Sequence, residues 1–371
     1  MTDTVAPATI GVIGAGTMGA GIAQVALEAG WSVRLHDAAP GAAERGRERI
    51  EAGLRRRVEK RDHDPGWTRT RLAALDIADT LTAASDGADL VIEAIVEDLE
   101  AKQALFATLD ALAPPATILA TNTSALSVTA IAEAATRHPE RVLGLHFFNP
   151  APVLLLVEVV AGARTGPAAL DRATSIAEAW GKTPVRSADH PGFIVNRVNR
   201  PFTIEALRML EVGEARVAEI DAAIRAEGFP MGPFELMDLV GLDVNFAAAT
   251  GVWEGLGRPD RFRPSPIQGW LVAQGRLGRK TGRGFYRYGQ GHDPVPDPLP
   301  HDVAAPVRPE RSLTPERIVR RIRTAIAEEA VMARDEGVAT AADIDTALWL
   351  GAAHPEGPFA WLRRHDLQSG R

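Results

Sequence analysis

The clearest chemical signature in the chain is a glycine-rich turn followed by a helix. The turn consists of Gly14, Ala15, Gly16, Thr17, Met18 and Gly19. Gly14 allows the tight turn, Gly16 lets backbone amides approach a pyrophosphate, and Gly19 lets the helix pack closely on the preceding strand. The first helical turn offers unpaired N–H groups to the anion. Asp37 lies 18 residues beyond Gly19, where a carboxylate binds the ribose hydroxyls of NAD and repels the extra phosphate of NADP. We therefore predict an NAD site.

Two other residues are suited to acid–base chemistry. His146 stands in the segment LHFFNP, and histidine is the side chain whose ordinary pKa lies closest to neutral pH. Glu158 is a lone acid in the apolar run 153–160, and since burying an unpaired carboxylate is costly, we expect it to have a partner. An ideal hairpin centred on residues 149–152 places His146 opposite Leu155 and turns Glu158 to the other face. A contact between His146 and Glu158 therefore requires an irregular connection.

Strand and helix patterns alternate through the first half of the chain. Strands are predicted at 9–13, 32–37, 89–95, 117–121, 142–148 and 153–160. Helices are predicted after the glycine-rich turn as far as residue 28, at 40–62, at 99–112 with Asp98 as its cap, and after residues 122–124 as far as 135. Residues 64–70 are predicted to be a loop. This alternation predicts an α/β Rossmann-type, doubly wound domain with a largely parallel sheet. Ligands of such sheets bind beyond the carboxyl ends of the strands, where Gly14, Ser124 and His146 fall.

The second half is predicted to be all-α, beginning with a long segment at 192–210, and it repeats itself. Residues 205–213 and 215–224 correspond to 329–337 and 339–348 at an offset of 124, and the Gly-Pro-Phe at 232–234 recurs at 357–359. We predict four parts: a Rossmann-like NAD-binding domain at 1–188, a first helical domain at 189–290, a Pro-rich linker at 291–312, and a truncated helical repeat at 313–371.

Composition limits the classes of function. The 371-residue chain has a net charge of −7, which argues against nucleic acid as a partner, and it contains no cysteine, which excludes thiolate catalysis, disulfides and cysteine-based metal sites. The sequence contains no apolar run of about 18 residues, so no membrane span is predicted. Residues 1–8 lack the basic and apolar regions of a signal peptide, so we expect a cytoplasmic protein. We also expect that the protein binds no metal.

Several segments resemble the L-3-hydroxyacyl-CoA dehydrogenase family, which includes 3-hydroxybutyryl-CoA dehydrogenases and the dehydrogenase part of bacterial fatty-acid oxidation multienzymes. They occur in the family's order over nearly all of the first 290 residues: IGVIGAGTMGAGIA, DLVIEAIVEDLEAKQALF, ATNTSALSV, GLHFFNPAPV, LVEVV, PGFIVNR, GPFELMDLVGLD and GRKTGRGFYRY. The second helical copy resembles the extra repeat of the multienzymes and of longer bacterial members. The resemblance implies reversible, NAD-dependent oxidation of L-3-hydroxyacyl-CoA to 3-oxoacyl-CoA in fatty acid metabolism, including β-oxidation.

The resemblance also implies catalytic roles. The family's catalytic histidine and glutamate match His146 and Glu158: the imidazole takes the proton of the 3-hydroxyl as hydride leaves C3, and the carboxylate orients the ring and stabilises its positive charge. Ser124 in NTS and Asn196 in GFIVNR match residues that hold the substrate oxygen. The second copy carries Arg320 at the position of Asn196, so only the first copy is expected to be catalytic.

Ligand-binding positions are implied in the same way. Beyond the glycine-rich turn and Asp37, the positions that match NAD contacts are Glu97, Lys102, Ser124 and Lys280. Lys60 is a candidate for the adenosine phosphate of coenzyme A. One departure is Leu155, where relatives often carry a lysine.

The duplicated helical unit implies an unusual assembly. Family members with a single unit resemble dimers whose helical domains pack together, so we expect residues 313–362 to dock on the first unit as an intrachain pseudo-dimer. Two other functions are compatible with the fold: an NAD-dependent dehydrogenase of a non-CoA hydroxy acid, and a non-catalytic NAD-binding protein. A side-by-side activity assay distinguishes the first, and the intact set Ser124, His146, Glu158 and Asn196 argues against the second.

Overall fold

The computed structural model describes residues 8–61, 64, 66–289 and 293–365. It divides into two compact units, the first ending at His190 and the second beginning at Pro191. Some parts of the segments predicted above lie outside the described residues. They are residues 1–7, 62–63 and 65 of the predicted NAD-binding domain, 290 of the first helical domain, 291–292 of the linker, and 366–371 of the second repeat.

An eight-stranded sheet forms the centre of the first unit. Its strands are β1 (Thr9–Ile13), β2 (Ser32–His36), β3 (Leu75–Ile77), β4 (Leu90–Glu93), β5 (Ile118–Thr121), β6 (Val142–Phe147), β7 (Leu156–Ala161) and β8 (Thr183–Ala188). Their order is β3-β2-β1-β4-β5-β6-β7-β8, and every neighbouring pair is parallel except β6 and β7. The prediction of a largely parallel, doubly wound sheet is confirmed.

Seven helices accompany this sheet among the described residues. They are α1 (Thr17–Glu28), α2 (Ala42–Arg61), α3 (Gly66–Leu72), α4 (Leu81–Ser85), α5 (Leu99–Leu112), α6 (Val128–Ala132) and α7 (Pro167–Ala179). Successive strand residues point to opposite faces, so Leu90 and Ile92 join one apolar core while Val91 joins the other. Asp98 caps α5 as predicted, since its Oδ1 accepts the N–H of Ala101 at 2.8 Å.

The prediction of a loop at 64–70 is wrong, because Gly66–Leu72 is the helix α3. Asp64 Oδ1 accepts the N–H of Gly66 at 2.6 Å and starts the helix. Trp67 packs against the apolar core, and the guanidinium of Arg71 lies 5.6 Å from its ring. This packing outweighs the low helix propensity of the glycine and threonines in the segment.

Two predicted helices are shorter than expected. The helix predicted to reach residue 135 ends at Ala132. The long segment predicted at 192–210 is divided into α8 (Val195–Val198) and α9 (Arg200–Glu211). Pro201 lies at the break, and it has no N–H with which to continue the helical hydrogen bonds.

The second unit is mostly helical. After α8 and α9 it contains α10 (Val217–Ala226), α11 (Pro233–Val240), α12 (Leu242–Gly255), α13 (Pro266–Ala273), α14 (Pro315–Asp335), α15 (Ala341–Gly351) and α16 (Pro358–Arg364), with the short strands β9 (Tyr286–Arg287) and β10 (Val295–Pro296). The predicted repeat is confirmed, since α9, α10 and α11 correspond to α14, α15 and α16. Each copy has a capping aspartate: Asp221 accepts the N–H of Phe234 at 3.0 Å, and Asp345 accepts the N–H of Phe359 at 2.7 Å.

The two copies exchange ion pairs. Arg197 Nε lies 2.6 Å from Glu329 Oε1, and Arg321 Nε lies 2.8 Å from Glu205 Oε2. The repeat offset of 124 carries Arg197 onto Arg321 and Glu205 onto Glu329. Each copy therefore gives the other the same contact that it receives, which is the signature of a two-fold interface.

A second contact is exchanged in the same way but with different chemistry. His354 Nε2 lies 2.8 Å from Asn199 Oδ1. At the corresponding positions of the opposite copies, the guanidinium of Arg323 lies 5.5 Å from the ring of Phe229. The positions remain matched although the side chains have diverged.

Within the described residues, no helix combines the length and apolar content needed to cross a bilayer. The same part of the chain contains no group of three or more histidine and acidic side chains placed to hold a metal ion.

Candidate active site

The glycine-rich turn leads from β1 into α1. Its first and last glycines leave no space for a side chain, whereas the middle glycine borders open space. Gly14 has a φ of 101°, and a Cβ there would lie 2.5 Å from the carbonyl oxygen of Ala94. A Cβ on Gly19 would lie 1.8 Å from the carbonyl oxygen of Gly14. A Cβ on Gly16, the N-cap of α1, would meet no atom within 4 Å. The turn thus leaves room beside Gly16 and the first N–H groups of α1, and its shape fits a bound phosphate.

Asp37 lies against this turn. Its Oδ2 accepts the N–H of Ala15 at 2.7 Å, and its Oδ1 accepts the N–H of Ala39 at 2.9 Å. The end of β2 is held next to the turn because β1 and β2 pair in parallel. The acid and the turn, 18 residues apart in sequence, are therefore neighbours in space.

Glu97 organises the segment that follows β5. Its Oε1 accepts hydrogen bonds from the hydroxyl of Thr123 (2.6 Å) and from the N–H (2.8 Å) and hydroxyl (3.2 Å) of Ser124. Burial opposes the charge on Glu97, but the hydrogen bond from Thr123, the charge of Lys102 and the N–H of Ser124 outweigh burial and lower its pKa. Glu97 is held as a carboxylate that fixes the position of Ser124.

Lys102 is almost fully buried, with 1% of its side chain exposed. Its ammonium contacts Glu93 and lies 3.4 Å from Glu97 Oε2. Two acids therefore neutralise its charge, and Lys102 supports the segment of Ser124 through Glu97. A direct contact of Lys102 with NAD stays a prediction.

His146 and Glu158 face each other across the antiparallel pair β6 and β7. The register pairs the two residues, and His146 Nδ1 lies 2.5 Å from Glu158 Oε2. Both are buried, with 5% of His146 and none of Glu158 exposed. The connection is not an ideal hairpin: residues 148–155 separate the strands, and β7 begins at Leu156 instead of at residue 153. The longer connection shifts the register and brings the imidazole to the carboxylate.

Two basic residues that are distant in sequence hold this connection. Lys182 Nζ donates to the carbonyl oxygens of Ala151 (2.5 Å) and Leu154 (2.8 Å), and Arg57 Nη2 donates to that of Pro152 (2.6 Å). The peptide bond between residues 149 and 150 is cis. The sequence carried no signal for Lys182, because a lone lysine before a strand is ordinarily a surface residue.

Lys60 lies near the end of α2 and lines a cavity of about 480 Å³ within the first unit. Three other basic residues of α2 also line it, together with the segment Asn149–Val153. They are Arg49, Arg56 and Arg57. The cavity is basic along its α2 side, which suits a phosphate-bearing ligand.

Two predicted site residues belong to the second unit. Asn196 lies in α8 and is partly exposed. Lys280 lies in the 3₁₀ turn Arg279–Thr281, and its Nζ contacts both carboxylate oxygens of Asp243 at 2.5 and 2.7 Å. The hydrogen bond from Lys280 lowers the pKa of Asp243. The first unit contains the glycine-rich turn, Asp37, Glu97, Ser124, His146 and Glu158.

Family models match almost the whole chain. The model of the 3-hydroxyacyl-CoA dehydrogenase NAD binding domain matches residues 9–190. The model of the 3-hydroxyacyl-CoA dehydrogenase C-terminal domain matches residues 192–288 and again 318–370. The second match falls on the copy formed by α14, α15 and α16.

Individual relatives agree with these matches. The chain is 39% identical to a 3-hydroxyadipyl-CoA dehydrogenase of Escherichia coli, over 95% of this chain and 90% of that protein. It is 44% identical to a probable 3-hydroxybutyryl-CoA dehydrogenase of Bacillus subtilis, over 75% of this chain and 96% of that protein. Among solved structures, a 3-hydroxybutyryl-CoA dehydrogenase from E. coli K12 superposes with a TM-score of 0.89 at 38% identity, covering 97% of this chain and 92% of that one.

Proposed function

This chain belongs to the 3-hydroxyacyl-CoA dehydrogenase family, and we propose that His146 and Glu158 carry its NAD-dependent oxidation of L-3-hydroxyacyl-CoA to 3-oxoacyl-CoA. The observation that supports this role is the 2.5 Å contact between His146 Nδ1 and Glu158 Oε2. A buried histidine held by a buried carboxylate is the arrangement expected of a general base with an orienting partner.

The contact determines which nitrogen acts. A carboxylate can only accept, so the nitrogen that faces Glu158 carries the hydrogen and the lone pair resides on Nε2. Nε2 takes the proton of the 3-hydroxyl, and the charge on the resulting imidazolium is balanced by Glu158. NAD, when bound, accepts the hydride that leaves C3 of the substrate.

Residues at three positions are proposed to hold the ligands. The open face at Gly16 receives the pyrophosphate and Asp37 binds the ribose hydroxyls. Ser124, fixed by Glu97, and Asn196 hold the substrate oxygen. Lys60 binds a phosphate of coenzyme A, which is supported by the basic α2 side of the cavity that it lines. A cytoplasmic location belongs to this proposal and stays a prediction.

The proposed base is tested by replacing His146 with Gln. Turnover of 3-hydroxybutyryl-CoA is expected to fall on the order of a hundredfold or more, the range for loss of a general base, while NAD affinity is kept. His138→Gln is the matched control, because His138 is a half-exposed histidine of the same unit. Wild-type turnover in the His146 variant, or higher activity on free hydroxy acids than on CoA thioesters in the wild type, would contradict the proposal.

We also propose that α14, α15 and α16 replace the helical domain of a partner subunit. The exchanged ion pairs Arg197–Glu329 and Arg321–Glu205 support this, as do the buried apolar residues Ile318, Ile322 and Ile326 on α14. Deleting the chain from Ser312 onward should expose the face of α9 and produce aggregation or a new dimer, measured by light scattering. A truncated chain that stays as monodisperse and stable as the full chain would refute the idea.

A further inference from the structure

Lys182 is a buried cation that is held by backbone carbonyl oxygens instead of by an acid. It stands between α7 and β8, and 8% of the residue is exposed. Its Nζ donates to the carbonyl oxygens of Ala151 at 2.5 Å and of Leu154 at 2.8 Å, and no acid of the described chain forms an ion pair with it. Lys102, the other buried lysine of the described residues, contacts two glutamates. Because an unneutralised buried charge is costly to a protein, the position of Lys182 needs a reason.

Both carbonyls that Lys182 contacts belong to the connection between β6 and β7, residues 148–155. This connection sets the register in which His146 lies opposite Glu158. The next residue along the chain, Thr183, adds a contact, since its N–H donates to the carbonyl oxygen of the last residue of the connection at 2.8 Å. The start of β8 therefore fixes the end of the connection, and with it the place at which the carboxylate meets the imidazole.

The same connection forms part of the wall of the cavity that is proposed to receive coenzyme A. Residues 149–153 line this cavity together with Lys60. Arg57 Nη2 donates to the carbonyl oxygen of Pro152 at 2.6 Å. The connection is thus held at its middle by Arg57, and on either side of that point by Lys182. A weaker hold by Lys182 therefore affects both the catalytic pair and the wall of the substrate cavity.

The proton on Lys182 determines how firmly the connection is held. Two charged groups act on the ammonium, Glu28 at the end of α1 and Arg57 of α2. Burial lowers the pKa of Lys182 to about 8; the charge of Glu28 opposes this effect, and the charge of Arg57 adds to it. A hydrogen bond from a charged donor is about twice as strong as one from a neutral donor. Both contacts of Lys182 therefore weaken as the pH rises above about 8.

We propose that Lys182 is a positioning residue of the reaction: its ammonium holds the connection in the conformation that brings Glu158 to His146, and loss of its proton slows oxidation at alkaline pH. A general base works in its unprotonated form, so His146 alone gives a rate that rises with pH and then stays level. Lys182 adds a fall on the alkaline side. This inference rests on the proposed function, since it takes His146 as the base.

The test is the pH dependence of kcat/KM for 3-hydroxybutyryl-CoA with NAD between about pH 6 and 9.5. The wild type is expected to lose activity above about pH 8. Lys182→Met should lower kcat/KM at pH 7 about tenfold or more, because a displaced catalytic group costs rate, and should show no further fall on the alkaline side. Lys182→Arg keeps its charge throughout this range, so it should stay within a few-fold of the wild type at pH 7 and remain level at alkaline pH.

Arg186→Met is the matched control, because Arg186 is a cation of β8 that pairs with Asp171 at the surface. This variant should keep the wild-type profile. A purely structural role of Lys182 would lower the amount of folded protein and leave the pH profile unchanged. An alkaline fall that persists in Lys182→Arg or Lys182→Met, or a wild type whose kcat/KM stays level over the whole range, would overturn the assignment. If Lys182→Met does not fold, the profile of Lys182→Arg decides the question.

Proton NMR gives a readout that does not depend on turnover. The Nδ1–H of His146, in its 2.5 Å contact with Glu158, is expected to resonate far downfield, and His146→Gln identifies the signal by removing it. The signal should shift as the wild type passes about pH 8 and should stay constant there in Lys182→Arg. A signal that responds neither to alkaline pH nor to Lys182→Met refutes the positioning role. A failure of the proposed function instead appears as a wild type that does not oxidise 3-hydroxyacyl-CoA at any pH.

Discussion

His354 makes the contact between the two helical copies sensitive to acid. The side chain is 2% exposed, and its Nε2 lies 2.8 Å from Asn199 Oδ1. Burial and, to a lesser extent, the charge of Arg323 lower the pKa of His354 to about 3. Because a carboxamide oxygen accepts, Nε2 carries a hydrogen. The lowered pKa leaves the ring neutral near pH 7, with its second nitrogen unprotonated.

The free energy involved follows from the difference between the folded and unfolded pKa values. An unfolded histidine titrates near 6.5, so between pH 6.5 and 3 the unfolded chain binds a proton that the native chain does not. The stability that depends on a neutral His354 is therefore fully present above pH 6.5 and is lost as the pH falls toward 3. At pH 5 the loss amounts to about 2 kcal/mol.

Urea unfolding of the wild type and of His354→Gln at pH 7 and pH 5 isolates this contribution. Glutamine does not titrate and retains an amide that can donate to Asn199. We expect the variant to lose about 2 kcal/mol less than the wild type between the two pH values, whatever its absolute stability. An equal loss in both proteins would refute the conclusion that His354 stays neutral in the folded state.

Two further predictions concern the reaction. Glu158→Gln should lower turnover and alter the pH–rate profile, because a neutral amide cannot balance the imidazolium of His146; an unchanged profile would count against the pairing. The wild type should use NAD more efficiently than NADP, and Asp37→Ala should narrow the ratio of the two kcat/KM values; a wild type equally efficient with NADP would show that Asp37 does not select the cofactor.

The elements of the first unit were predictable where local patterns decide the structure. β1 and α5 have the predicted bounds and α1 ends at the predicted residue, because a β-rich run, a glycine turn and the capping residue Asp98 mark these elements. The helix α3 was missed because its stability comes from the packing of Trp67 and not from its own sequence. Local propensity cannot report a contact with a distant core.

The site was predictable by residue type but not by geometry. The pairing of His146 with Glu158 depends on the length of the connection between β6 and β7, which Lys182 and Arg57 hold from other elements. The repeat was visible in the sequence, yet the exchanged contacts of Arg197 and Arg321 were not, because similarity between copies does not reveal how they pack.

The two helical copies are joined in one chain, and this changes how their contact responds to dilution. Subunits of a dimer separate when the protein concentration falls below the dissociation constant. Tethered halves meet at an effective concentration set by the connecting segment, so their association does not depend on how much protein is present. Because both halves lie in one chain, a substitution can also occur in one half alone, whereas a substitution in a symmetric dimer occurs in both subunits at once. At matched positions, Asn199 contacts His354 whereas Arg323 contacts Phe229. Two identical subunits would have to make the same contact twice.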